Sequence, residues 1–165
     1  MSAFPNFSGP LFELTADLMS EGFAASRASA RKRIIFPIHR TQDAQVQRML
    51  NFMQPGTYVK PHIHRGAGAS ESVVLITGAL QYFIFNAEGR VIRTFRAVAG
   101  TPSAVIDMEP DVWHSFLVVE PDTVVFECKK GPYEALSDKD FAAWAPDEGT
   151  AEAAEWIRVM KARYA

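Results

Sequence analysis

The sequence predicts a mostly β domain, an antiparallel barrel or sandwich with a helix at each end. Short runs rich in Val, Ile, Phe and Tyr follow one another from Ile34 to Lys129, and turn residues separate them. About eight such runs at short, regular spacing favour an antiparallel arrangement over a parallel sheet. The two flanking regions carry helical spacing instead, which indicates helices outside the β region.

The first element is a helix from about Thr15 to Ala30, inside a helical N-terminal region that we place at residues 11–30. Apolar residues recur there near the helical period, at Leu14, Leu18 and Phe23. Thr15 is of a residue type that commonly caps the start of a helix.

The barrel core is expected at about residues 34–130. Its turns are marked by Gly, Pro, Asn and Asp, as in Gln54-Pro55-Gly56-Thr57. Pro55-Gly56 suits the central pair of a type II turn, because Pro presets φ and Gly accepts a positive φ. Apolar residues on both parities of Val73 to Ile76 and of Gln81 to Phe85 predict strands that are buried on two sides.

A second helix is expected at residues 150–163. Glu152 near its start and Lys161 near its end complement the helix dipole. No internal repeat or long linker divides the 165 residues, so we expect a single domain over residues 1–165.

Composition excludes several functions. Lys and Arg number 17 against 19 Asp and Glu, a net charge of −2 without the positive excess of nucleic-acid binders, so no nucleic-acid partner is expected. The longest apolar runs fall far short of a membrane span, so no membrane partner is expected either. The single Cys128 gives no sign of an oxidising compartment, and the sequence therefore predicts a cytoplasmic protein.

The chemistry is concentrated in histidines at predicted strand ends. In His62-Ile63-His64 the two imidazoles share one face of a strand, while Glu71 and His114 begin later strands. Three neutral imidazoles and a carboxylate form a donor set for one divalent transition metal ion, Zn, Fe, Mn, Ni or Co. A lone histidine such as His39 is commonly structural, but the pattern of four residues predicts a metal site.

These residues also resemble a known family. Gly56, His62-Ile63-His64, Glu71 and Gly78 resemble the first motif of the cupin superfamily, and the segment from Glu109 to His114 resembles the second. Six residues separate His64 from Glu71, where most cupins have three or four. The similarity is greatest to the WbuC-family cupin metalloproteins, over roughly residues 18–149. It rests on Ser29 to Arg33, Gln47-Arg48, Gln54 to His64, Trp113 to Ser115, Phe126 to Tyr133 and Asp140 to Pro146.

The resemblance implies a double-stranded β-helix, the cupin barrel, with a divalent metal ion in its mouth. It leaves the reaction open, although the family name comes from polysaccharide gene clusters and suggests sugar-related chemistry. One hypothesis is a metal-dependent enzyme that acts on a small polar molecule, as an isomerase or epimerase, or with iron as a dioxygenase. The alternative is a non-catalytic module in which the metal anchors a small ligand or stiffens the barrel.

Three residues are candidates for catalytic work beside the metal: Tyr58, Lys60 and His39. Tyr58 and Lys60 share strand parity with His62, so they are expected to line the same cavity. Lys60 has the charge to hold a carboxylate or phosphate, although a solvated lysine at a strand end is the plainer interpretation. The partners we expect are a small-molecule ligand and a second copy of the chain, since sheet edges and an apolar sheet face need covering.

Overall fold

The computed structural model describes residues 3–134 and 138–164, which form two facing five-stranded antiparallel sheets with a helix near each end of the chain. The helices are α1 (Ala16–Ala28) and α2 (Ala151–Tyr164). The strands are β1 (Arg33–Pro37), β2 (Val46–Met53), β3 (His62–Ile63), β4 (Glu71–Thr77), β5 (Ala79–Phe85), β6 (Val91–Val98), β7 (Val105–Met108), β8 (Trp113–Val118), β9 (Thr123–Lys130) and β10 (Asp140–Phe141). A 3-10 turn, Pro102–Ala104, precedes β7.

The strands divide between the sheets in an order that differs from the chain order. Sheet I is β1-β2-β9-β4-β7 and sheet II is β10-β3-β8-β5-β6, with antiparallel pairing throughout. Chain segments that cross between two facing sheets in this way are typical of a jelly roll. The prediction of a mostly β antiparallel architecture with flanking helices is confirmed.

The predicted element boundaries hold to within a few residues. Thr15 caps α1, since its hydroxyl accepts from the Leu18 amide at 3.2 Å, and α1 ends two residues before the predicted Ala30. At the Pro55-Gly56 turn, Gly56 has a φ of +95°. Its backbone therefore lies where a side chain would be strained.

Two short strands raise the number of described strands above the predicted eight. The segment from Tyr58 was expected to be one strand through His64, but β3 holds only His62 and Ile63. Pro61 lacks an amide hydrogen to donate to a ladder, so pairing begins after it. β10 pairs with β3, and neither is long enough to show a period in the sequence.

The space between the sheets is apolar at one end and polar at the other. Three neighbouring pairs across β4 and β9 show the gradient: Leu75 with Val125, Val73 with Glu127, and Glu71 with Lys129. The apolar end is filled by buried residues that include Met53, Leu80 and Tyr82. The polar end is left open as a cavity, and the candidate site lies there.

The helices cover the outer faces of the sheets. Phe23 of α1 packs against Phe52 of β2 on sheet I, and Met160 of α2 packs with Phe83 and Phe85 of β5 on sheet II. β5 is therefore buried on two sides, as predicted.

β4 was also predicted to be buried on two sides, but only one of its faces is buried. Val73 and Leu75 face the core, whereas Val74 and Ile76 are each 37% exposed on the outer face.

Among the described residues, no helix is long and apolar enough to cross a membrane.

Candidate metal centre

Three buried imidazoles meet at the polar end of the barrel. His62 on β3 lies directly opposite His114 on β8, and His64 follows β3. The ring centroids are 4.3 Å apart for His62 and His114, 5.2 Å for His62 and His64, and 5.7 Å for His64 and His114. One nitrogen of each ring lies within 4.8 Å of the corresponding nitrogens of the other two. Three nitrogen donors can therefore reach a single ion.

Hydrogen bonds fix the orientation of all three rings. Each Nδ1 bonds to a backbone carbonyl oxygen: His62 to Lys60 at 2.9 Å, His64 to Asp138 at 2.7 Å, and His114 to Val112 at 2.9 Å. A carbonyl oxygen can only accept, so Nδ1 carries the proton and Nε2 carries the lone pair. The backbone thus sets the tautomer that a metal ion needs.

Glu71, the first residue of β4, brings a carboxylate from the opposite sheet. Its oxygens lie 3.3 Å from Nε2 of His114 and 3.8 Å from Nε2 of His64. With Nδ1 protonated, these contacts bring lone pairs together, and a cation between them would turn repulsion into attraction. Nε2 of His62 and of His64 are buried without a hydrogen-bond partner among the described residues. The donor set fits a divalent transition ion.

Burial favours the neutral form of two of the imidazoles, His62 and His64. It lowers the pKa of His62 well below the usual value, and the charge of Lys139 lowers it further. Burial also lowers the pKa of His64, although Glu71 acts in the opposite direction. Burial alone would raise the pKa of Glu71, but a hydrogen bond and positive charge from His114 when that ring is protonated, together with the charge of Lys139, hold it well below its usual value. Neutral imidazoles beside an ionised carboxylate are ready to coordinate a metal ion.

A second carboxyl group stands behind Glu71. Glu127 on β9 lies beside Glu71 and donates a hydrogen bond to it when protonated. Its Oε2 accepts a hydrogen bond from the Asn51 side-chain amide on β2 at 2.8 Å. Burial and the charge of Glu71 raise the pKa of Glu127 to about 7. Sequence reasoning missed both Glu127 and Asn51. The available signal was one acidic residue at an inward position of the apolar run Val124-Val125-Phe126.

One side of the site is closed by residues 138–141, which we call the cover segment. The carbonyl of Asp138 accepts from His64, β10 pairs with β3, and the Phe141 ring lies 6.0 Å from the His62 ring. Lys129 of β9 holds the Asp138 carboxylate with contacts of 2.5 and 2.7 Å. This buried ion pair fastens the cover segment to sheet I.

The cavity beside the imidazoles has a volume of about 720 Å³. Volumes of this size are typical of sites for small organic molecules. Its wall includes His62, Glu71 and His114 together with Glu127 and Asn51. The candidate metal centre therefore opens onto enough space for a ligand.

Two of the three candidate catalytic residues lie on the cavity wall, and the third does not. Lys60 and His39 line the cavity. Nε2 of His39 is buried without a hydrogen-bond partner among the described residues, and Lys60 is paired with Asp147 at 2.6 Å.

Tyr58 is placed elsewhere, contrary to the expectation from strand parity. Its hydroxyl donates to the Pro146 carbonyl at 2.8 Å, and its ring packs edge-on against Trp156 of α2. The segment before Pro61 is not a regular strand, so parity with His62 does not carry over. Tyr58 ties the barrel to the C-terminal segment.

Comparison with known sequences identifies one family. The sequence model of a family described as a domain of unknown function, DUF6016, matches residues 14–97. A sequence search of curated proteins finds no significant match.

Solved structures of similar fold include cupins. A single-site mutant of Bacillus subtilis oxalate decarboxylase OxdC is 14% identical, with a TM-score of 0.50 over 66% of this chain and 28% of that chain. A recombinant oxalate oxidase in complex with glycolate is 16% identical, with a TM-score of 0.48 over 64% of this chain and 55% of that chain. A conserved protein of unknown function from Streptococcus pyogenes, SPY1581, is 16% identical, with a TM-score of 0.47 over 62% of this chain and 78% of that chain.

At 14% identity the likeness to the oxalate decarboxylase mutant shows the fold alone. The chain spans little more than a quarter of the oxalate decarboxylase, 28% of its length. The predicted cupin barrel is confirmed by the two facing sheets together with this likeness.

Proposed function

For this chain, which belongs to the DUF6016 family, a domain of unknown function, we propose a metal-dependent enzyme that acts on a small polar molecule. One observation carries the proposal: three buried imidazoles with Nδ1 held by carbonyl oxygens turn Nε2 towards one point beside Glu71. The cavity of about 720 Å³ continues from that point, so a ligand has room beside the ion.

In this proposal His62, His64, His114 and Glu71 hold one divalent ion, and Zn, Fe, Mn, Ni and Co all suit the donor set. When bound, such an ion polarises a carbonyl or hydroxyl group or lowers the pKa of a bound water. Glu127 positions Glu71 through their shared hydrogen bond. The Phe141 ring lies beside the His62 ring at the edge of the cavity.

His39, Lys60 and Glu127 place proton-transferring groups on the cavity wall. The resemblance to WbuC-family cupins, over the segments around His62, His114 and Trp144, supports a sugar- or polysaccharide-related substrate and an isomerase or epimerase type of reaction. The free Cys128 supports a reducing compartment such as the cytoplasm.

The metal assignment is tested by elemental analysis of protein purified without added metal. We expect about one transition ion per chain in the wild type and a large loss in His62→Ala and in His114→Ala. His39→Gln is the matched control, because His39 is a buried histidine of the same cavity outside the cluster. Equal metal content in all four proteins would refute the site.

The catalytic assignment is tested on the metal-loaded protein with a panel of sugars and sugar phosphates. Product formation is followed by NMR, and oxygen uptake is measured in parallel on iron-loaded protein. Conversion that disappears in His114→Ala supports the enzyme, and oxygen uptake would favour a dioxygenase. Ligand binding without turnover in either assay would assign the protein as a non-catalytic binding module.

A further inference from the structure

The cavity wall carries five cationic side chains, and four of them are paired with carboxylates of the chain. Arg31 and Arg33 both bond to Glu148, at 2.8 and 2.9 Å. Lys60 is paired with Asp147 and Lys129 with Asp138. The fifth cation is Lys139. Within residues 3–134 and 138–164, no hydrogen bond or ion pair involves its ammonium group.

The positive charge of Lys139 lies on the cavity wall, close to the histidine cluster. Lys139 belongs to the cover segment, between Asp138 and Asp140. The Asp138 carbonyl accepts a hydrogen bond from His64, and Asp140 pairs with Ile63 in the ladder between β10 and β3. Its side chain is half-buried and lines the cavity. Its charge acts on His62, His64, Glu71 and Glu127, so it lies close to the candidate metal centre.

The acidic side chains of the two neighbouring residues are already paired with other cations, and Asp140 is held by Arg65. The Asp138 carboxylate, on the adjacent residue, is already held by two contacts from Lys129. Five acidic side chains line the cavity against the five cations, and the acids include Glu71 and Glu127 beside the imidazoles. A divalent ion at the imidazoles would therefore leave the cavity with an excess of positive charge.

We propose that the cavity binds a small molecule bearing a carboxylate or phosphate group, and that Lys139 receives this anionic group beside the metal ion. This deepens the proposed function and rests on it for the metal. A lysine offers a compact charge with three rotatable donors, which suits either kind of anion. The cavity volume leaves room for a polar body in addition to the anionic group.

The test is isothermal titration calorimetry on metal-loaded protein with inorganic phosphate, malonate and neutral glucose. We expect one of the two anions to bind more tightly than glucose, and which one does so identifies the group. Lys139→Gln should weaken that binding at least tenfold with unchanged metal content, and Lys139→Arg should keep it within about threefold. Lys130→Gln is the matched control, since exposed Lys130 donates to the Ala67 carbonyl and lies outside this cavity.

The proposal is overturned if Lys139→Gln binds the anions as the wild type does, or if neither anion binds better than glucose. Metal content separates this result from failure of the proposed function. Should elemental analysis find no metal, the same titrations on metal-free protein still show whether anion binding depends on Lys139.

Discussion

At the scale of single residues, the three imidazoles are oriented in two different ways. His62 and His114 each donate to the carbonyl two residues earlier in the chain, Lys60 and Val112. Their orientation is therefore a local property of each segment. His64 donates instead to Asp138, 74 residues away. Its ring is set only when the cover segment is docked, so metal binding and docking of that segment should support each other.

The contact between Glu127 and Glu71 gives a prediction for metal affinity. Glu127→Leu removes the hydrogen bond that positions Glu71, and we expect the affinity for the ion to fall at least about tenfold. Glu127→Gln keeps an amide donor for Glu71 and should stay within a few-fold of the wild type. Competition with a chromophoric chelator measures both. Wild-type affinity in Glu127→Leu would mean that Glu127 does not position Glu71.

The sequence predicted the part of the site that has local or motif-like signals. His62, His64, Glu71 and His114 lie at strand ends in a recognisable pattern, and the structure brings them together. Glu127 and Lys139 depend on strand pairing and on how the cover segment folds back, which no short window of sequence contains. Tyr58 was expected to line the cavity because it shares strand parity with His62, but parity applies only while a strand continues, and β3 begins at His62.

At the scale of elements, the C-terminal segment before α2 is fastened to β1 by charge. Glu148 accepts from Arg31 in the turn before β1 and from Arg33 at its start. Arg33 also donates to the Tyr58 carbonyl at 2.5 Å. Burial alone would raise the pKa of Glu148, but the hydrogen bonds and charges of the two arginines lower it below the usual value. This cluster joins three distant segments at the rim of the cavity.

Glu148→Gln should make the protein less stable in a pH-dependent way. A carboxyl whose pKa is lower in the folded than in the unfolded state adds stability above its unfolded pKa and loses it as pH falls. Because Glu148 is partly exposed, we expect a loss of only about 0.5–1 kcal/mol at pH 7, vanishing towards pH 3. Urea unfolding at both pH values measures this.

The control is Glu155→Gln, which breaks an exposed pair with Arg158 within α2. It should leave the free energy of unfolding unchanged at both pH values. A loss for Glu148→Gln that persists undiminished at pH 3 would assign its effect to packing and not to charge.

At the scale of the whole molecule, part of sheet I remains uncovered. α1 packs over β1 and β2, whereas Val74 and Ile76 on β4 and Val105 on β7 are exposed on the outer face, Val105 by 66%. We propose that a second copy of the chain covers this face in a two-fold homodimer. Light scattering should give twice the chain mass of 18.3 kDa.

Val74→Lys should shift this dimer towards the monomer, because it places a charge on the face to be buried. Ile92→Lys, at an exposed position of β6 in sheet II, is the control and should leave the mass unchanged. A wild type that runs at the monomer mass at micromolar concentration would exclude the pairing.

Removal of the metal ion should change stability in a way that depends on pH. An ion that binds only the folded state adds about 2.7 kcal/mol when its free concentration is a hundred times Kd. For a domain of this size that corresponds to a rise in Tm of roughly 5–10 °C. At pH 7.5 a chelator should therefore lower the Tm of the wild type by about that amount.

Acid should reduce the difference between chelated and untreated protein. Protons compete with the ion for three imidazoles together, so metal is lost more steeply with falling pH than a single titration would allow. The chelated protein should also be less stable at pH 5 than at pH 7.5. Burial lowers the pKa of His62 and of His64 in the folded state, so the unfolded chain takes up more protons below about pH 6.5. Melts with and without chelator should thus nearly coincide at pH 5, both below the melts at pH 7.5. His62→Ala should show no effect of chelator at either pH, and a wild type with one Tm in all four conditions would mean that the histidines hold no ion.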